Sequence, residues 1–128
     1  MQANVQDKAA EATLAAIERF NIAFGDHDVD AIMAHMTDDC IFESTYPPPD
    51  GIRYQGQEVV RGVWNELFTA SPDARFDAEE IVAAGDRCTV RWIYRYTDGS
   101  GQEQHLRGVD VFRVRDGKVA EKLSYVKG

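Results

Sequence analysis

The sequence predicts an α+β fold in which helices come first and an antiparallel sheet follows. Apolar residues recur at helical spacing in three segments of the first half, whereas after Pro72 they alternate with polar residues, as in half-buried strands. One short strand-like run stands between the second and third helical segments. A chain of 128 residues has the length of one domain, so we expect residues 1–128 to form a single unit. Helices packed on one face of the sheet would bury both sets of apolar residues.

The first helix is predicted from Asn4 to Phe24, with a stripe of apolar residues down one side. Gly25 follows the last of them, where a left-handed helix cap is expected. Asp28 is expected to cap a second, short helix. That helix would bury Val29, Ile32, Met33 and Met36.

A turn at residues 37–39 is expected to lead into a strand over residues 40–44, on which every second side chain shares one face. The segment 46–51 contains three prolines, which donate no backbone hydrogen bonds, so it is predicted to be a rigid loop at a rim. Apolar residues at helical spacing predict a third helix over residues 57–68.

Alternation predicts two strands after Pro72, one from Phe76 to Ala84 and one from Arg87 to Thr97. Two further β-rich runs, 106–114 and 119–126, flank Asp116-Gly117, a dipeptide typical of hairpin turns. The sheet therefore ends in a hairpin.

Asp110 interrupts the apolar face of the first strand of this hairpin. A carboxyl group in such a row has a partner, lies at a wet opening or does chemistry. A two-residue loop at Asp116-Gly117 would place Asp110 opposite Leu123, whereas a three-residue loop that includes Arg115 would place it opposite Lys122. In the second case Ser124 would share its face. The hairpin residues are compatible with both registers.

The composition excludes several classes of function. The net charge of −8 argues against binding to nucleic acid or to anionic membrane surfaces. We find no apolar run of about 18 residues and no signal-peptide pattern, so a cytoplasmic protein is expected.

Cys40 and Cys88 lie in apolar runs and are expected to be reduced core thiols. Scattered histidines and the cysteine spacing give no metal motif, and we expect no metal and no cofactor.

The order of elements resembles the nuclear transport factor 2-like superfamily, which includes ketosteroid isomerases and SnoaL-like polyketide cyclases. The residues that carry the resemblance are 38–43, Gly56, 109–113 and 116–119. Nearly the whole chain is covered. The resemblance implies a cone-shaped α+β barrel, with three N-terminal helices packed in the concave face of a curved, mainly antiparallel sheet and a mostly apolar pocket in its mouth. It also favours the three-residue loop.

The familiar catalytic residues of these enzymes are only partly present. The resemblance implies an Asp general base on the first strand, where this chain has Ser44, and a Tyr from the first helix, where it has Phe20. A protonated Asp that donates to an oxyanion matches Asp110. The acid/base Asp that SnoaL-like cyclases carry on the last strand is Ser124 here, so none of these mechanisms is intact.

We therefore expect Asp110 and Lys122 to be the catalytic pair. Burial alone would favour a neutral Asp110, which can stabilise an enolate oxygen, whereas a neighbouring ammonium would favour a carboxylate that acts as a base. An ionised pair is expected. The predicted substrate-binding residues are Phe20, Phe42, Ser44, Trp92, Tyr94, Phe112 and Ser124.

The predicted function is that of a small-molecule pocket protein for an apolar ligand. As an enzyme it would be a cofactor-free isomerase, cyclase or dehydratase that transfers a proton on an apolar carbonyl or hydroxyl compound. The alternative is a non-catalytic ligand-binding or dimerising interaction module, in which Asp110 and Lys122 form a structural ion pair. A homodimer is expected through the outer face of the sheet, which carries Ile93, Val109, Val111, Leu123 and Tyr125 beside Arg91 and Arg113.

Overall fold

Three helices pack against one face of a curved, unclosed sheet of six strands, which confirms the predicted α+β class. The computed structural model describes residues 5–128, with side chains from Lys8 onward. The helices are α1 (Val5–Gly25), α2 (Val29–Ala34) and α3 (Gln57–Ala70). The strands are β1 (Met36–Glu43), β2 (Arg53–Gln55), β3 (Arg75–Ala84), β4 (Arg87–Thr97), β5 (Glu103–Arg115) and β6 (Lys118–Val126).

The sheet order is β2-β1-β6-β5-β4-β3, in which β1 and β6 run parallel and the other neighbours antiparallel. Sequence reasoning missed β2, a three-residue edge strand that pairs with β1 just after the proline loop. The inner face of the sheet and the apolar sides of the helices form one core. Phe20 of α1 contacts Phe112 of β5 edge to face in this core, with ring centroids 5.6 Å apart.

The reversal after α1 is made by His27 rather than by Gly25. Asn4, the predicted first residue of the helix, lies outside the described residues. At the other end of the helix, the hydrogen bonds continue to the amide of Asp26, which donates to the carbonyl of Ile22. Gly25 is thus still helical, and His27 takes the left-handed conformation with φ 55°. Its ring stacks on Phe68 of α3, with centroids 4.2 Å apart, and this contact helps to hold the reversal.

The predicted turn at residues 37–39 is wrong, because β1 already begins at Met36. Met36 pairs with Val119 of β6, and the Val119 amide donates to the carbonyl of His35. Gln57 of α3 satisfies the end of α2: its Nε2 lies 3.0–3.1 Å from the carbonyl oxygens of Met33, Met36 and Thr37. Ile41, which pairs with Glu121, is the next residue of β1 in the ladder with β6, so residues 37–40 form an irregularity in a strand that is paired on either side of them. Asp28 caps α2 as predicted and accepts from the Ala31 amide over 3.1 Å.

The β5–β6 hairpin matches neither predicted register. Its loop is the two-residue turn Asp116-Gly117, with φ of 53° and 73°, values that a type I′ turn requires. Ala120 is an extra residue in β6, because Val119 pairs with Val114 whereas Glu121 pairs with Arg113.

This β-bulge shifts every later pair of the hairpin by one residue. Asp110 consequently lies opposite Ser124, and Phe112 opposite Lys122. The preferred three-residue loop was wrong, as was Asp110 opposite Leu123. The shared face of Asp110, Lys122 and Ser124 was correctly predicted.

Candidate functional site

A cavity of about 300 Å³ lies between the helices and the inner face of the sheet. Its wall is largely aromatic and aliphatic, with a small polar group at one point. The lining residues are Phe24, Phe42, Ser44, Thr45, Tyr46, Val63, Trp64, Leu67, Phe76, Trp92, Tyr94, Leu106, Asp110, Lys122 and Ser124.

The polar point is a closed triangle of three side chains from β5 and β6. Lys122 Nζ donates to Ser124 Oγ over 2.9 Å, and Ser124 Oγ donates to Asp110 Oδ1 over 2.6 Å. The third side is the ion pair between Lys122 Nζ and Asp110 Oδ2, at 3.2 Å. Asp110 is fully buried and Lys122 is 6% exposed. Two opposite charges are thus held together in a place from which water is largely excluded.

Three aromatic rings lie close to the Lys122 ammonium. The ring centroids of Phe42, Phe24 and Trp64 lie 4.9, 5.5 and 5.7 Å from Nζ. Phe42 is there because β1 pairs in parallel with β6 and places it beside Lys122. The helices α1 and α3 supply the other two rings. Each π face attracts the cation, so the ammonium is held at a defined point of the cavity wall.

Two capacities for hydrogen bonding remain in the triangle. Oδ2 of Asp110 accepts no hydrogen bond from the described residues and meets only the charge of Lys122. A lysine ammonium has three N–H donors; Lys122 donates one to Ser124, and the ion pair with Asp110 lies beside a second. The triangle can therefore offer one donor, and one acceptor oxygen, to a molecule in the cavity.

Two tryptophans of the wall also carry free donors. The Nε1 atoms of Trp64 and Trp92 are buried and have no hydrogen-bond partner among the described residues. Such unpaired donors cost free energy, on the order of 1–3 kcal/mol each. A polar ligand atom that reached either indole would recover part of that cost.

Most of the predicted site residues meet at this cavity. Phe42, Trp92, Tyr94 and Ser124 line it together with Asp110 and Lys122, and their catalytic and ligand-binding roles stay predictions. Phe20 and Phe112 do not line it: both are fully buried and pack against each other where α1 covers the sheet. Their assignment as ligand contacts is corrected accordingly, since both belong to the packed core and not to the lining of the cavity.

Ser44 lines the cavity, but its hydroxyl is engaged elsewhere. Its Oγ donates to the carbonyl of Tyr46 over 2.9 Å and accepts from the amide of Ile52 over 3.0 Å. The predicted ligand contact thus serves mainly to fasten the proline loop. Tyr46 of that loop is 77% exposed and stands at the rim of the cavity.

Tyr94 supplies a further polar group to the wall. Burial raises the pKa of its phenol, an effect that a hydrogen bond with Ser71 only partly offsets. The hydroxyl is therefore protonated across the physiological range and acts as a neutral donor or acceptor.

Several wall residues were missed as ligand contacts in the sequence. Val63, Trp64 and Leu67 lie on the apolar stripe of α3, and such stripes are normally core. Leu106 shares the alternating face of Asp110, and that alternation was the one signal available for it. Which apolar residues face a void rather than each other depends on the spacing of helices and sheet, which a stripe does not encode.

Among the described residues, no cluster of three His, Cys, Asp or Glu side chains is arranged to hold a metal ion. None of the helices in the same part of the chain is both long and apolar enough to cross a membrane.

Comparison with known proteins gives one family and many structural neighbours. The SnoaL-like domain family matches residues 17–122. No curated protein matches the sequence. A solved NTF2-like protein of unknown function from Mesorhizobium loti is 40% identical, with 93% of each chain covered and a TM-score of 0.78.

Two further neighbours share the fold at lower identity. A candidate polyketide cyclase from Xanthomonas campestris pv. campestris is 23% identical, with 93% of each chain covered and a TM-score of 0.74. A candidate ketosteroid isomerase from Kribbella flavida is 17% identical and has a TM-score of 0.80, with 98% of this chain and 83% of that chain covered. At these identities the likeness establishes a common fold alone.

Proposed function

This chain belongs to the SnoaL-like domain family, and we propose that it is a cofactor-free enzyme that transfers a proton on a small apolar carbonyl or hydroxyl compound. The observation that carries the proposal is the triangle of Asp110, Lys122 and Ser124 in the wall of an otherwise apolar cavity. Isomerisation, cyclisation and dehydration all need what this arrangement offers: a base, and a donor to the oxygen that gains charge.

The three side chains divide the work. The Lys122 ammonium binds the substrate oxygen and stabilises negative charge that develops on it. Asp110 Oδ2, which accepts no hydrogen bond from the described residues, takes the proton from carbon or oxygen. Ser124 fixes the other carboxylate oxygen over 2.6 Å and so keeps Oδ2 oriented toward Lys122. Tyr94 is available as a second donor.

The apolar wall strengthens these interactions. Coulombic attraction at a given distance grows as the local dielectric constant falls, and the aromatic rings exclude water from the ammonium. Donor and acceptor are already in place before the substrate arrives, so little reorganisation is needed during the reaction. An apolar body of the substrate would fill the space between Trp92, Phe76 and Leu67.

Exchange of α-hydrogens for deuterium tests proton transfer without knowledge of the natural substrate. We would incubate α-tetralone, an apolar ketone, with the protein in D₂O and follow loss of the α-proton signal by NMR. Wild type should accelerate exchange above buffer, and Asp110→Asn should reduce the enzymatic rate by about 10²-fold or more. The matched control is Asp116→Asn, the same change in the same hairpin at a left-handed turn position that asparagine tolerates.

Equal exchange rates for Asp110→Asn and wild type would overturn the assignment of Asp110 as the base. Circular dichroism and urea unfolding of both variants would establish that the comparison is between folded proteins. A panel of ketones that differ in length would then report how much of the cavity a substrate fills.

One observation favours a second candidate, ligand binding without turnover. Asp110, Lys122 and Ser124 contact one another directly, as the members of a structural ion pair would. Native mass spectrometry of protein purified from its own host tests this candidate. A retained apolar molecule that the protein leaves chemically unchanged would support a carrier, whereas conversion of that molecule supports the enzyme.

A homodimer through the outer face of the sheet is also proposed. Tyr125 is 54% exposed there, beside the half-buried Val109 and Val111. Ile93, which was expected to contribute, is already buried within the protomer. Sedimentation velocity at micromolar concentration should give a dimer, and Tyr125→Glu should weaken it. A monomer of the wild type at that concentration would contradict the proposal.

A cytoplasmic location is proposed as well. Cys40 and Cys88 are both buried, free thiols, as is usual in a reducing compartment. Fractionation of host cells with an antibody against the protein would test it, and recovery with the periplasmic or secreted fraction would contradict it.

A further inference from the structure

Lys122 differs from every other lysine of the described chain in its burial. Lys8, Lys118 and Lys127 are exposed, whereas Lys122 keeps 6% of its surface and lines the cavity. Lysine is rarely buried, since its ammonium is strongly hydrated in water. A buried lysine beside an apolar cavity is an arrangement that enzymes use for amine nucleophiles.

The surroundings of Nζ meet the two needs of such a nucleophile. It must lose a proton, and Asp110 Oδ2 lies 3.2 Å away with no hydrogen bond of its own from the described residues. The proton can therefore pass directly from Nζ to Oδ2, without a solvent molecule between them. The amine must also reach a carbonyl carbon. Nζ lines the apolar cavity, and the centroids of three aromatic rings lie 4.9–5.7 Å from it, so a carbonyl compound in the cavity would meet the amine away from bulk water.

We propose that Lys122 forms an imine with aldehydes and unhindered ketones that enter the cavity. The inference rests on the proposed function, in which the same cavity takes a carbonyl compound, and it names the covalent step and the substrate class. Trp64 and Phe42 flank the nitrogen and would hold an aromatic or aliphatic body beside it.

The reaction is balanced within the triangle. The Lys122 ammonium gives one proton to Asp110, and the nitrogen lone pair forms a bond to the carbonyl carbon while the carbonyl π electrons move to oxygen. Nitrogen then loses a second proton as the oxygen gains one, which gives a neutral carbinolamine. The carbon–oxygen bond breaks as Asp110 returns its proton to the oxygen, and one water leaves.

The product is an iminium ion whose positive charge takes the place of the ammonium opposite the Asp110 carboxylate. No oxidant or reductant is consumed. Ser124, hydrogen-bonded to both partners, holds them in register during these transfers.

Reductive trapping tests the proposal. We would incubate the protein with benzaldehyde and sodium cyanoborohydride, which reduces an iminium to a stable secondary amine, and map benzylated lysines by peptide mass spectrometry over time. Lys122 should be labelled before the exposed Lys118, by about tenfold in rate, because Lys122 alone among the described lysines has a carboxylate at ion-pair distance. Labelling of Lys118 and Lys127 with Lys122 left unmodified would overturn the proposal, and this readout needs no variant.

Variants separate the role of each group. Lys122→Met should abolish the rapid labelling that is assigned to Lys122. Lys118→Met, the matched change at an exposed site, should leave that rapid labelling intact. Asp110→Asn should slow the labelling of Lys122 while exposed lysines react as before. Equal labelling of Lys122 in Asp110→Asn and wild type would contradict the assigned proton acceptor.

Binding measured in the same samples distinguishes this proposal from the proposed function. Benzaldehyde should change the fluorescence of the wall residues Trp64 and Trp92 saturably. Saturable binding without an adduct on Lys122 would refute the imine and leave a non-covalent carbonyl site. If benzaldehyde neither binds nor forms an adduct, the imine and the proposed function are both contradicted. If an adduct forms on Lys122 but α-tetralone exchange is not accelerated, the imine is retained and the assignment of Asp110 as the base is refuted.

Discussion

Ser124 stands directly opposite Asp110 in the β5–β6 ladder, and its hydroxyl donates to Asp110 Oδ1 over 2.6 Å. This pairing exists because Ala120 is an extra residue in β6. With the same two-residue turn and a regular ladder, Leu123 would lie opposite Asp110 and the Lys122 side chain would leave the cavity for the outer face. A single β-bulge thus assembles the ion pair.

The ion pair should show strong coupling in a double-mutant cycle. Lys122→Met leaves the Asp110 charge buried without an opposite charge beside it, so we expect a loss of about 3–5 kcal/mol in the free energy of unfolding. Combining it with Asp110→Leu should recover most of that loss, because both charges are then gone. Urea unfolding at neutral pH measures the free energy of unfolding of the wild type, the two single variants and the double variant.

Lys118→Met provides the control for this cycle, since Lys118 is exposed at the start of the same strand. It should change stability by no more than about 0.5 kcal/mol. Additive losses in the double variant would mean that the two buried charges do not stabilise each other.

Gly108 should be intolerant of any side chain. A Cβ there would lie 2.2 Å from the carbonyl oxygen of Tyr125 and 2.5 Å from Cζ2 of Trp92. Gly108→Ala should therefore displace the Trp92 ring in the cavity wall and destabilise the protein by about 1–3 kcal/mol. Thermal unfolding and tryptophan fluorescence would detect the two effects.

Gly62 is the matched glycine. It is exposed within α3, and a Cβ there would have no atom within 4 Å. Gly62→Ala should stabilise the protein by about 0.5–1 kcal/mol, as expected for an exposed helix interior. Stabilisation of Gly108→Ala by a similar amount would show that the sheet adapts to the added methyl group.

The Cys88 thiol should make stability fall at alkaline pH. Burial raises its pKa to about 11 from an ordinary value of 9.0. Between these two values the unfolded chain loses the proton and the folded chain keeps it, so stability declines as pH rises, by about 2–3 kcal/mol in total. Urea unfolding near pH 8 and pH 11 measures the decline, which should be smaller in Cys88→Ala. An unchanged decline in that variant would assign it to other groups.

The carboxylate of Asp98 should remain ionised at pH values between its lowered pKa of about 2 and the ordinary value of 3.8. Ser100 Oγ donates to its Oδ1 over 2.7 Å and, with hydrogen bonds from the Gln102 amide and the Gln104 side chain, lowers the pKa to about 2. Because this folded value lies below the ordinary 3.8, the stability that Asp98 contributes is complete above about pH 4 and is lost as pH falls through 2.

An NMR titration of the Asp98 carboxyl carbon measures this pKa directly. Ser100→Ala should raise it toward the ordinary value, since the Ser100 hydroxyl makes the largest contribution. An unperturbed titration in the wild type would mean that the turn at residues 98–102 is open in solution.

Asp110 was recognisable as a special residue from its strand alone. Side chains alternate with a period of two in any strand, so one carboxyl in an apolar row stands out without knowledge of its partners. The apolar stripes of α1 and α3 and the alternation of β4 are local signals of the same kind. They predicted the helices, most strands and the face of the sheet that is buried.

The partners of Asp110 could not be predicted in the same way. Arg115-Asp116-Gly117 is compatible with a two-residue and with a three-residue loop. The residues around Ala120 contain no local signal that predicts a β-bulge. The early start of β1 at Met36 likewise depends on Val119 and Gln57, which lie far along the chain.

The sequence by itself thus determined which side chains face inward, since periodicity is a property of each segment. Only the tertiary structure decided that Lys122 and Ser124 meet Asp110, and that Phe20 and Phe112 pack solidly while Phe42 and Trp92 border a void. The physical reason is that register and empty volume arise between segments: one extra residue rotates a strand, and the distance between helix and sheet sets the space that remains.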